Sequence, residues 1–252
     1  MIVGRHALVT GGGSGVGKAI ALALAEAGID VTICGRRLTA LEAVASLHDR
    51  IHAVVADVTD EASMTRLYET AEAERGPLDI VVANAGMAGS APASKTALAD
   101  WQKTIDVNLT GAFLTVKPAL AGTTARKGGR IIFIASTAGL KGYAYVAPYV
   151  AAKHGVVGLM RALAIEAAKS GVTVNAICPS FVETDMLEES ISRIVGKTGR
   201  SEAEARASLM ASNPQGRFVQ PEEIAASVLF LCSAAAASIT GQSISVSGGE
   251  TW

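Results

Sequence analysis

Short segments of continuous apolar residues alternate along the sequence with longer segments of helical periodicity. Strands that are apolar without interruption are covered on both faces of their sheet. Because such strands alternate with helices, the sequence predicts a doubly wound α/β fold with a parallel sheet. The predicted strands are Ala7–Val9, Asp30–Cys34, His52–Val55, Ile80–Ala83, Ile131–Ala135, Val172–Ile177 and Ser243–Val246. The predicted helices include Val16–Ala27, Thr39–Leu47, Glu61–Arg75, Val107–Leu120, Pro148–Lys169 and Pro221–Ser233.

Composition and charge exclude several classes of protein. Half of the 252 residues are hydrophobic, which suits a single domain with a large core over residues 1–252. The net charge is −1 and both signs are interspersed, so neither a nucleic-acid-binding face nor a basic membrane anchor is expected. No apolar run reaches the roughly 18 residues that span a bilayer. Because the first predicted strand begins within the first ten residues, we expect no signal peptide.

Cysteine and histidine content bears on the compartment and on metal binding. Cys34, Cys178 and Cys232 are odd in number, widely spaced and in apolar surroundings. We predict that they are buried thiols of a cytoplasmic protein. The histidines share no ligand spacing with the cysteines, so no metal site is predicted.

A glycine-rich turn follows the first predicted strand and opens the first predicted helix. From Thr10 to Gly17 it reads TGGGSGVG. Glycines at such a turn let the backbone approach a pyrophosphate, which the start of the helix then binds. An ordinary glycine-rich turn is the alternative, but the strand–turn–helix context favours a dinucleotide. The candidate contacts are Gly11, Ser14, Gly15, Val16 and Gly17.

Two arginines, and no acid, stand at the end of the second predicted strand. A site for NAD usually has an acid here that accepts from the ribose 2′-hydroxyl, whereas arginine accommodates a 2′-phosphate. Arg36 and Arg37 therefore favour NADP(H) as the cofactor, with NAD(H) as the alternative. The structural alternative is that both side chains merely begin a solvated helix.

Polar residues near the next predicted strands are further candidates. Asp57 can accept a hydrogen bond from an adenine amino group or cap the helix that starts near Asp60. The Asn-Ala-Gly segment 84–86 closes the fourth strand at the edge where ligands bind in such sheets. Asn108, inside an apolar helix, is either a core residue with satisfied hydrogen bonds or a site residue.

A hydroxyl, a phenol and an ammonium follow in the next part of the chain. Ser136 stands where the fifth predicted strand ends, and Pro148 suits the first turn of a helix. Tyr149 and Lys153 are four residues apart, so they share one helix face. A nearby ammonium and a helix N-terminus both favour the phenolate, so Tyr149 is predicted to exchange a proton with a carbonyl or alcohol oxygen held by Ser136. The alternative is a tyrosine on an amphipathic helix beside a surface lysine.

These motifs, in this order and spacing, resemble the short-chain dehydrogenase/reductase family over essentially the whole chain. The resemblance implies a Rossmann-type fold with a seven-stranded parallel sheet and an oxidoreductase that interconverts ketones and secondary alcohols. It implies that Tyr149 is the general acid/base and that Lys153 lowers its pKa and binds the nicotinamide ribose. Ser136 then holds the substrate oxygen, and Asn108 supports a water that links Lys153 to solvent.

The resemblance also implies the rest of the cofactor site. Residues 179–186 resemble the nicotinamide-side loop of the family, although Ser180 stands where the family usually has glycine. A lid over the substrate is expected at about residues 185–216. The further cofactor contacts implied are Asp57, Val58, Asn84, Ala85, Gly86, Pro179, Val182 and Thr184.

The stretch from Ala147 to Gly249 is particularly similar to 3-oxoacyl-thioester reductases and aromatic polyketide ketoreductases. The sequence departs from the polyketide ketoreductases at residues 91–94 and from the carrier-protein reductases at Ser170, although Arg130 matches the other basic contact of the latter. The expected substrate is a coenzyme A thioester, a carrier-bound chain, or a free cyclic or aromatic ketone. The alternatives are an NAD(H)-linked catabolic alcohol or 3-hydroxyacyl dehydrogenase and a non-catalytic dinucleotide-binding subunit, which should lack one of the three site residues.

The helix that carries Tyr149 also bears on assembly. From Val150 to Ala168 it is mostly apolar or small around its circumference, whereas a helix packed on its own sheet alone shows one polar face. We expect the outer face to be buried by the same helix of a second subunit about a two-fold axis, with the apolar helix Val107–Leu120 joining the bundle. The alternative is that the chain's own lid covers this helix. The family resemblance extends this expectation to a homotetramer, with the tail through Trp252 near a second interface.

Overall fold

Seven parallel strands form one sheet within residues 1–251, the part of the chain that the computed structural model describes. The strands are β1 (His6–Thr10), β2 (Asp30–Gly35), β3 (Ile51–Val55), β4 (Ile80–Ala83), β5 (Gly129–Ile134), β6 (Val172–Pro179) and β7 (Ser243–Val246). Their order is β3-β2-β1-β4-β5-β6-β7, so the sheet grows outward from its centre in both directions. All strands run parallel, but the order in which the chain adds them reverses between β1 and β4. Ligands bind at this point in such sheets.

Helices cover both faces of this sheet. They are α1 (Gly15–Glu26), α2 (Leu38–Ala45), α3 (Glu61–Arg75), α4 (Leu98–Ile105), α5 (Gly111–Arg126), α6 (Ala147–Ala167), α7 (Asp185–Thr198), α8 (Glu202–Met210) and α9 (Pro221–Cys232). Neighbouring strand residues face opposite sides of the sheet. Phe133 belongs to the core cluster that includes residues of α3, α5 and α6, and Ile132 belongs to the cluster that includes residues of α1, α2 and α9. Both faces of the sheet are therefore shielded from water, which explains why the strands lack alternating polar residues.

The predicted α/β fold and its seven strands are confirmed, with strand ends that move by at most two residues. The predicted helix Val107–Leu120 is wrong in its bounds. Residues 106–110 form a wide π-helical turn that connects α4 to α5, and α5 runs on to Arg126. Within the turn, the Asn108 amide donates to the carbonyl oxygen of Thr104 at 2.9 Å, one turn earlier.

The described residues also bear on thiols, metals and membranes. Cys34, Cys178 and Cys232 are buried and unpaired, as predicted. Within residues 1–251 there is no cluster of three or more metal-ligating side chains, and no helix of this part is long and apolar enough to cross a membrane. Trp252, which the sequence places near a second interface, lies outside the described residues.

Candidate active site

One cavity of about 1310 Å³ lies along the carboxyl edge of the sheet. It extends from the glycine-rich turn after β1 to the helices α7 and α8. The structure brings every site residue predicted from the sequence to this cavity. Its lining includes Gly11, Ser14, Gly15, Val16, Gly17, Arg36, Arg37, Asp57, Val58, Asn84, Ala85, Gly86, Asn108, Ser136, Tyr149, Lys153, Pro179, Val182 and Thr184.

The glycine-rich turn needs its glycines for conformation and for close packing. Gly11 and Gly15 have φ angles of 67° and 50°, in the left-handed region. A Cβ atom at Gly17 would lie 2.3 Å from the carbonyl oxygen of Gly11, so only glycine lets α1 start this close to β1. Ser14 precedes α1 without a side-chain cap bond. The first backbone N–H groups of α1 thus lack an intrahelical partner at the edge of the cavity.

Asn84 and Thr10 lock the ends of β4 and β1 together. The Asn84 amide donates to the Thr10 carbonyl oxygen at 2.8 Å, and the Thr10 hydroxyl accepts from the backbone N–H groups of Asn84 and Ala85 at 3.0 and 3.1 Å. Gly86 is required next to them, because a Cβ there would lie 2.9 Å from Asn108 Oδ1. The side chain of Asn84 therefore shapes the cavity, while the backbone at Ala85 and Gly86 lines it.

The far end of the cavity carries positive charge. Arg36 and Arg37 follow β2, are exposed, and make no ion pair with a carboxylate of residues 1–251. Asp57 lies beside them and accepts from the backbone N–H and hydroxyl of Thr59, which hold the pKa of its carboxyl below the usual range. The capping alternative for Asp57 is wrong, because Asp60 caps α3 by accepting from Ala62 N at 2.9 Å.

Ser136, Tyr149 and Lys153 meet near the middle of the cavity. Ser136 ends β5; its hydroxyl accepts from Ala138 N at 3.1 Å and donates to the Pro179 carbonyl oxygen at 3.5 Å. Tyr149 lies in the first turn of α6, which places its phenol beside that hydroxyl. Lys153 is one turn further along; it is 4% exposed, and its Nζ donates to the Ile134 carbonyl oxygen at 2.8 Å.

The electrostatics of this trio differ from the prediction. Burial raises the pKa of Tyr149, and the hydrogen bond with Ser136 offsets only part of that effect. Burial also lowers the pKa of Lys153 to about 8. The Lys153 ammonium lies 5.6 Å from the centre of the Tyr149 ring. The predicted lowering of the tyrosine pKa by Lys153 is therefore wrong for this structure, in which desolvation dominates and the phenol keeps its proton at neutral pH.

Asn108 has the hydrogen bonds of a core residue and also faces the cavity. Besides its bond to Thr104, it donates to the Met87 carbonyl oxygen at 2.9 Å and accepts from Met87 N at 3.2 Å. It thereby fixes the loop after β4 against the wide turn before α5. Both alternatives raised by the sequence thus apply to its position, and the water that the resemblance implies stays a prediction.

The loop after β6 closes the cavity over the glycine-rich turn. Thr184 precedes α7, and its hydroxyl donates to the Val182 carbonyl oxygen at 3.2 Å. Its methyl group lies 3.1 Å from where a Cβ of Gly15 would be, so this loop contacts the first turn of α1. Further along, Arg193 and Lys197 of α7 donate to the carbonyl oxygens of Ala88 and Ser90.

Sequence reasoning missed part of the lining. Thr137, Tyr143, Tyr145 and the loop 87–92 all border the cavity. Tyr145 adopts a φ of 69°, rare for a residue with a side chain, and its carbonyl oxygen accepts from Ala91 N at 2.8 Å. The two tyrosines between Ser136 and Tyr149 were the available signal, but nothing in the sequence showed which way they point.

Together these features define a dinucleotide-dependent oxidoreductase. A family model described as short chain dehydrogenase matches residues 5–194, and the chain therefore belongs to the short-chain dehydrogenase family. Its members are oxidoreductases of CH–OH groups and the matching ketones, and they bind a nicotinamide dinucleotide.

Two curated relatives match almost the whole chain. A 3-oxoacyl-[acyl-carrier-protein] reductase of Synechocystis sp. is 40% identical over 255 residues, covering 98% of this chain and 97% of its own. A cis-4-hydroxycyclohexanecarboxylate dehydrogenase of Sinomonas cyclohexanicum is 39% identical over 251 residues, covering 98% and 96%. These relatives act on different substrates, so the family membership alone does not choose between an acyl chain and a ring.

A solved structure matches the fold closely. A single-residue variant of actinorhodin polyketide ketoreductase with NADPH has a TM-score of 0.95 and 36% sequence identity, with 99% of each chain covered. The resemblance to polyketide ketoreductases and 3-oxoacyl reductases predicted from the sequence is thus confirmed.

Proposed function

We propose that this protein is an NADP(H)-dependent reductase of ketones in which Tyr149 gives the proton to the substrate oxygen. The observation that carries the proposal is the convergence of Ser136, Tyr149 and Lys153 on one cavity whose far end presents Arg36 and Arg37. The alternative of a non-catalytic subunit is disfavoured because all three residues of the trio are retained.

The residues at both ends of the cavity fit a nicotinamide dinucleotide. The uncapped start of α1 suits a pyrophosphate, and the two arginines suit a ribose 2′-phosphate. Thr184, Val182 and Pro179 would hold the nicotinamide end, and Asp57 and Val58 the adenine end. When bound, this cofactor supplies or accepts the hydride. The protein supplies position and a proton.

The proton chemistry belongs to Tyr149 and its neighbours. A protonated phenol at neutral pH is suited to donate to the oxygen of a ketone that is being reduced. The Ser136 hydroxyl would hold the same oxygen. Lys153 would hold the cofactor ribose, and its positive charge would favour the phenolate that is left after the proton has moved.

For the substrate we propose a 3-oxoacyl thioester or a cyclic or aromatic ketone. Both kinds are in keeping with relatives named for a 3-oxoacyl group, a cyclohexane ring and a polyketide. An NAD(H)-linked dehydrogenase is the competing assignment. Measuring turnover of 3-oxoacyl thioesters and cyclic ketones with NADPH and NADH at equal concentration separates the two.

The decisive test replaces Tyr149 by phenylalanine. Positioned acid–base catalysis is worth roughly 10²–10⁴-fold, so we expect kcat of Tyr149→Phe to fall by about that factor while NADPH still binds. Ketone-dependent oxidation of NADPH, followed by absorbance, gives kcat, and a fluorescence titration gives the cofactor affinity.

Tyr68→Phe is the matched control. It makes the same chemical change outside the cavity, where the Tyr68 hydroxyl donates to the Thr115 carbonyl oxygen at 2.5 Å. This variant should lose stability but keep its kcat. Retention of wild-type kcat by Tyr149→Phe would refute the assignment of the proton donor.

A further inference from the structure

Glu250 is a buried carboxylate that the proposed chemistry does not use. It follows β7 in a turn whose Gly248 and Gly249 have φ angles of 61° and 94°. Only 1% of its side chain is exposed. An ionised carboxylate is costly to bury unless it is fully hydrogen-bonded, so its partners indicate why it is there.

Three side chains from two other loops bind this carboxylate. Oε1 accepts from Tyr143 Oη at 2.5 Å and from Lys141 Nζ at 2.9 Å, and Oε2 accepts from the hydroxyl of Ser180. Lys141 and Tyr143 belong to the loop between Ser136 and Tyr149, and Ser180 belongs to the loop after β6. Glu250 therefore connects the C-terminal turn with both loops that border the centre of the cavity.

The carboxylate also dictates where the hydroxyl protons point. Burial alone would raise the pKa of Glu250, but the hydrogen bonds from Ser180, Tyr143 and Lys141 outweigh it and hold that pKa below the usual range. An ionised carboxylate can only accept, so Tyr143 and Ser180 must donate to it. Thr137 Oγ1 lies 2.6 Å from Tyr143 Oη and must then donate to that oxygen.

The three hydroxyl groups whose protons are fixed in these hydrogen bonds line the same cavity as Ser136 and Tyr149. They belong to Thr137, Tyr143 and Ser180. If one of their protons were free, it could bind the second carbonyl oxygen of a 3-oxo substrate and hold the molecule in a second orientation, with the ketone oxygen still at the Ser136–Tyr149 pair. The network also fixes the wall itself, because the Tyr143 ring packs edge-on against Phe181 with centroids 6.4 Å apart.

We infer that Glu250 is a positioning residue that sets the orientation of the ketone by committing the protons of Thr137, Tyr143 and Ser180 away from it. This role rests on the proposed function of the same site. Glu250 itself does not line the cavity. It acts through three hydroxyl groups that would otherwise bind the substrate in a second orientation.

Glu250→Gln tests the role with almost no change in shape. The amide has one accepting oxygen and one NH₂ group, and Lys141 repels the NH₂ from the Oε1 position. The NH₂ group then faces Ser180, whose hydroxyl must accept from it and so turns its proton toward the cavity.

Reduction of ethyl 3-oxobutanoate, a prochiral 3-oxo ester, provides the measurement. A competing hydrogen bond of ordinary strength should lower the enantiomeric ratio of the alcohol by about tenfold, as measured by chiral chromatography. The KM for the ester should fall, because the freed proton adds a second way for the substrate to bind, whereas the affinity for NADPH should stay at the wild-type value. The double variant Glu250→Gln/Ser180→Ala lacks the hydroxyl proton that points into the cavity, so its enantiomeric ratio should return to the wild-type value.

Glu222→Gln is the control, because Glu222 is exposed in the first turn of α9. A folded Glu250→Gln protein with wild-type enantiomeric ratio and KM would overturn the role of Glu250 while leaving the proposed function intact. Failure of the wild-type protein to reduce any ketone would instead overturn the proposed function, and the role of Glu250 with it.

A second variant tests the network if Glu250→Gln does not fold. Tyr143→Phe removes the only acceptor that the structure gives the Thr137 hydroxyl within residues 1–251, so the enantiomeric ratio should fall again. Thr137→Val in the same protein should restore it. An unchanged ratio in Tyr143→Phe would contradict the ordering of these protons.

Discussion

Single residues set the charge state of the site, and burial is the physical cause. Lys153 is 4% exposed and its pKa is lowered to about 8, while burial raises the pKa of the Tyr149 phenol. At neutral pH the site thus holds a protonated phenol next to an ammonium that is close to losing its proton. This combination suits donation of a proton to a ketone better than removal of one from an alcohol.

At the same scale, Arg36 and Arg37 should decide the choice of cofactor. Replacing both by alanine removes charge-assisted hydrogen bonds to a 2′-phosphate, each worth roughly 1.5–3 kcal/mol. We expect the Kd for NADPH to rise by at least about tenfold and the Kd for NADH to change little, as measured by fluorescence titration. Arg66→Ala, an exposed change on α3, is the control. Equal losses of affinity for NADPH and NADH would show that these arginines do not bind the 2′-phosphate.

At the scale of elements, residues that cap or end a helix explain which helix bounds the sequence predicts well. The predicted and observed bounds of α3 agree because Asp60 caps its start and Gly76, with a φ of 77°, ends it. No such signal marks the wide turn at 106–110, where hydrophobic periodicity continues across a change in hydrogen-bonding pattern. That turn depends on the hydrogen bonds that the Asn108 amide donates to the carbonyl oxygens of Thr104 and Met87. The bond to Met87 is a tertiary contact, which local sequence patterns do not predict.

The start of α9 offers a test of capping. Glu223 accepts from Gln220 N at 2.7 Å and forms two hydrogen bonds with Arg217 at 2.6 and 2.7 Å. Glu223→Ala leaves the Gln220 N–H without this acceptor, so the free energy of unfolding should fall by about 1 kcal/mol. Urea denaturation measures it, with Glu222→Ala as the neighbouring control. A loss no larger than in the control would show that the cap contributes nothing.

At the scale of the whole molecule, three adjoining helices leave apolar side chains exposed. Leu98 of α4, Phe113 of α5 and Ile165 of α6 are 79%, 40% and 79% exposed. The outer face of α6 also includes the small residues Gly158 and Ala162. Exposed apolar surface of this kind is typical of interfaces, and a second copy of α5 and α6 is the partner that the sequence predicts.

Light scattering at micromolar concentration measures the assembly. We expect a particle of four times the 25.7 kDa chain, because the apolar helix faces would form a dimer about one two-fold axis and the family resemblance implies a second interface. Ile165→Glu places a charge in that interface and should yield smaller particles, whereas Ala43→Glu, an exposed change on α2 at the opposite face of the sheet, serves as the control. An active wild-type monomer of about 26 kDa would contradict the assembly.

The sequence by itself determined the architecture and the location of the site. Continuous apolar strands that alternate with helices require a covered parallel sheet, and the chain order places the residues after each strand at one edge. For this reason Gly11, Arg36, Asn84, Ser136 and Thr184, each from a segment that follows a different strand, could be expected to meet at one cavity, as they do.

Only the tertiary structure decided the electrostatics and the supporting network. Desolvation depends on what packs around a group, so the sequence predicted the wrong direction for the pKa of Tyr149. Glu250 is far along the chain from Tyr143 and Ser180, and nothing local in its sequence relates it to them. Its carboxylate reaches both because β6 and β7 pair side by side and deliver the turn after β7 to the loops after β5 and β6.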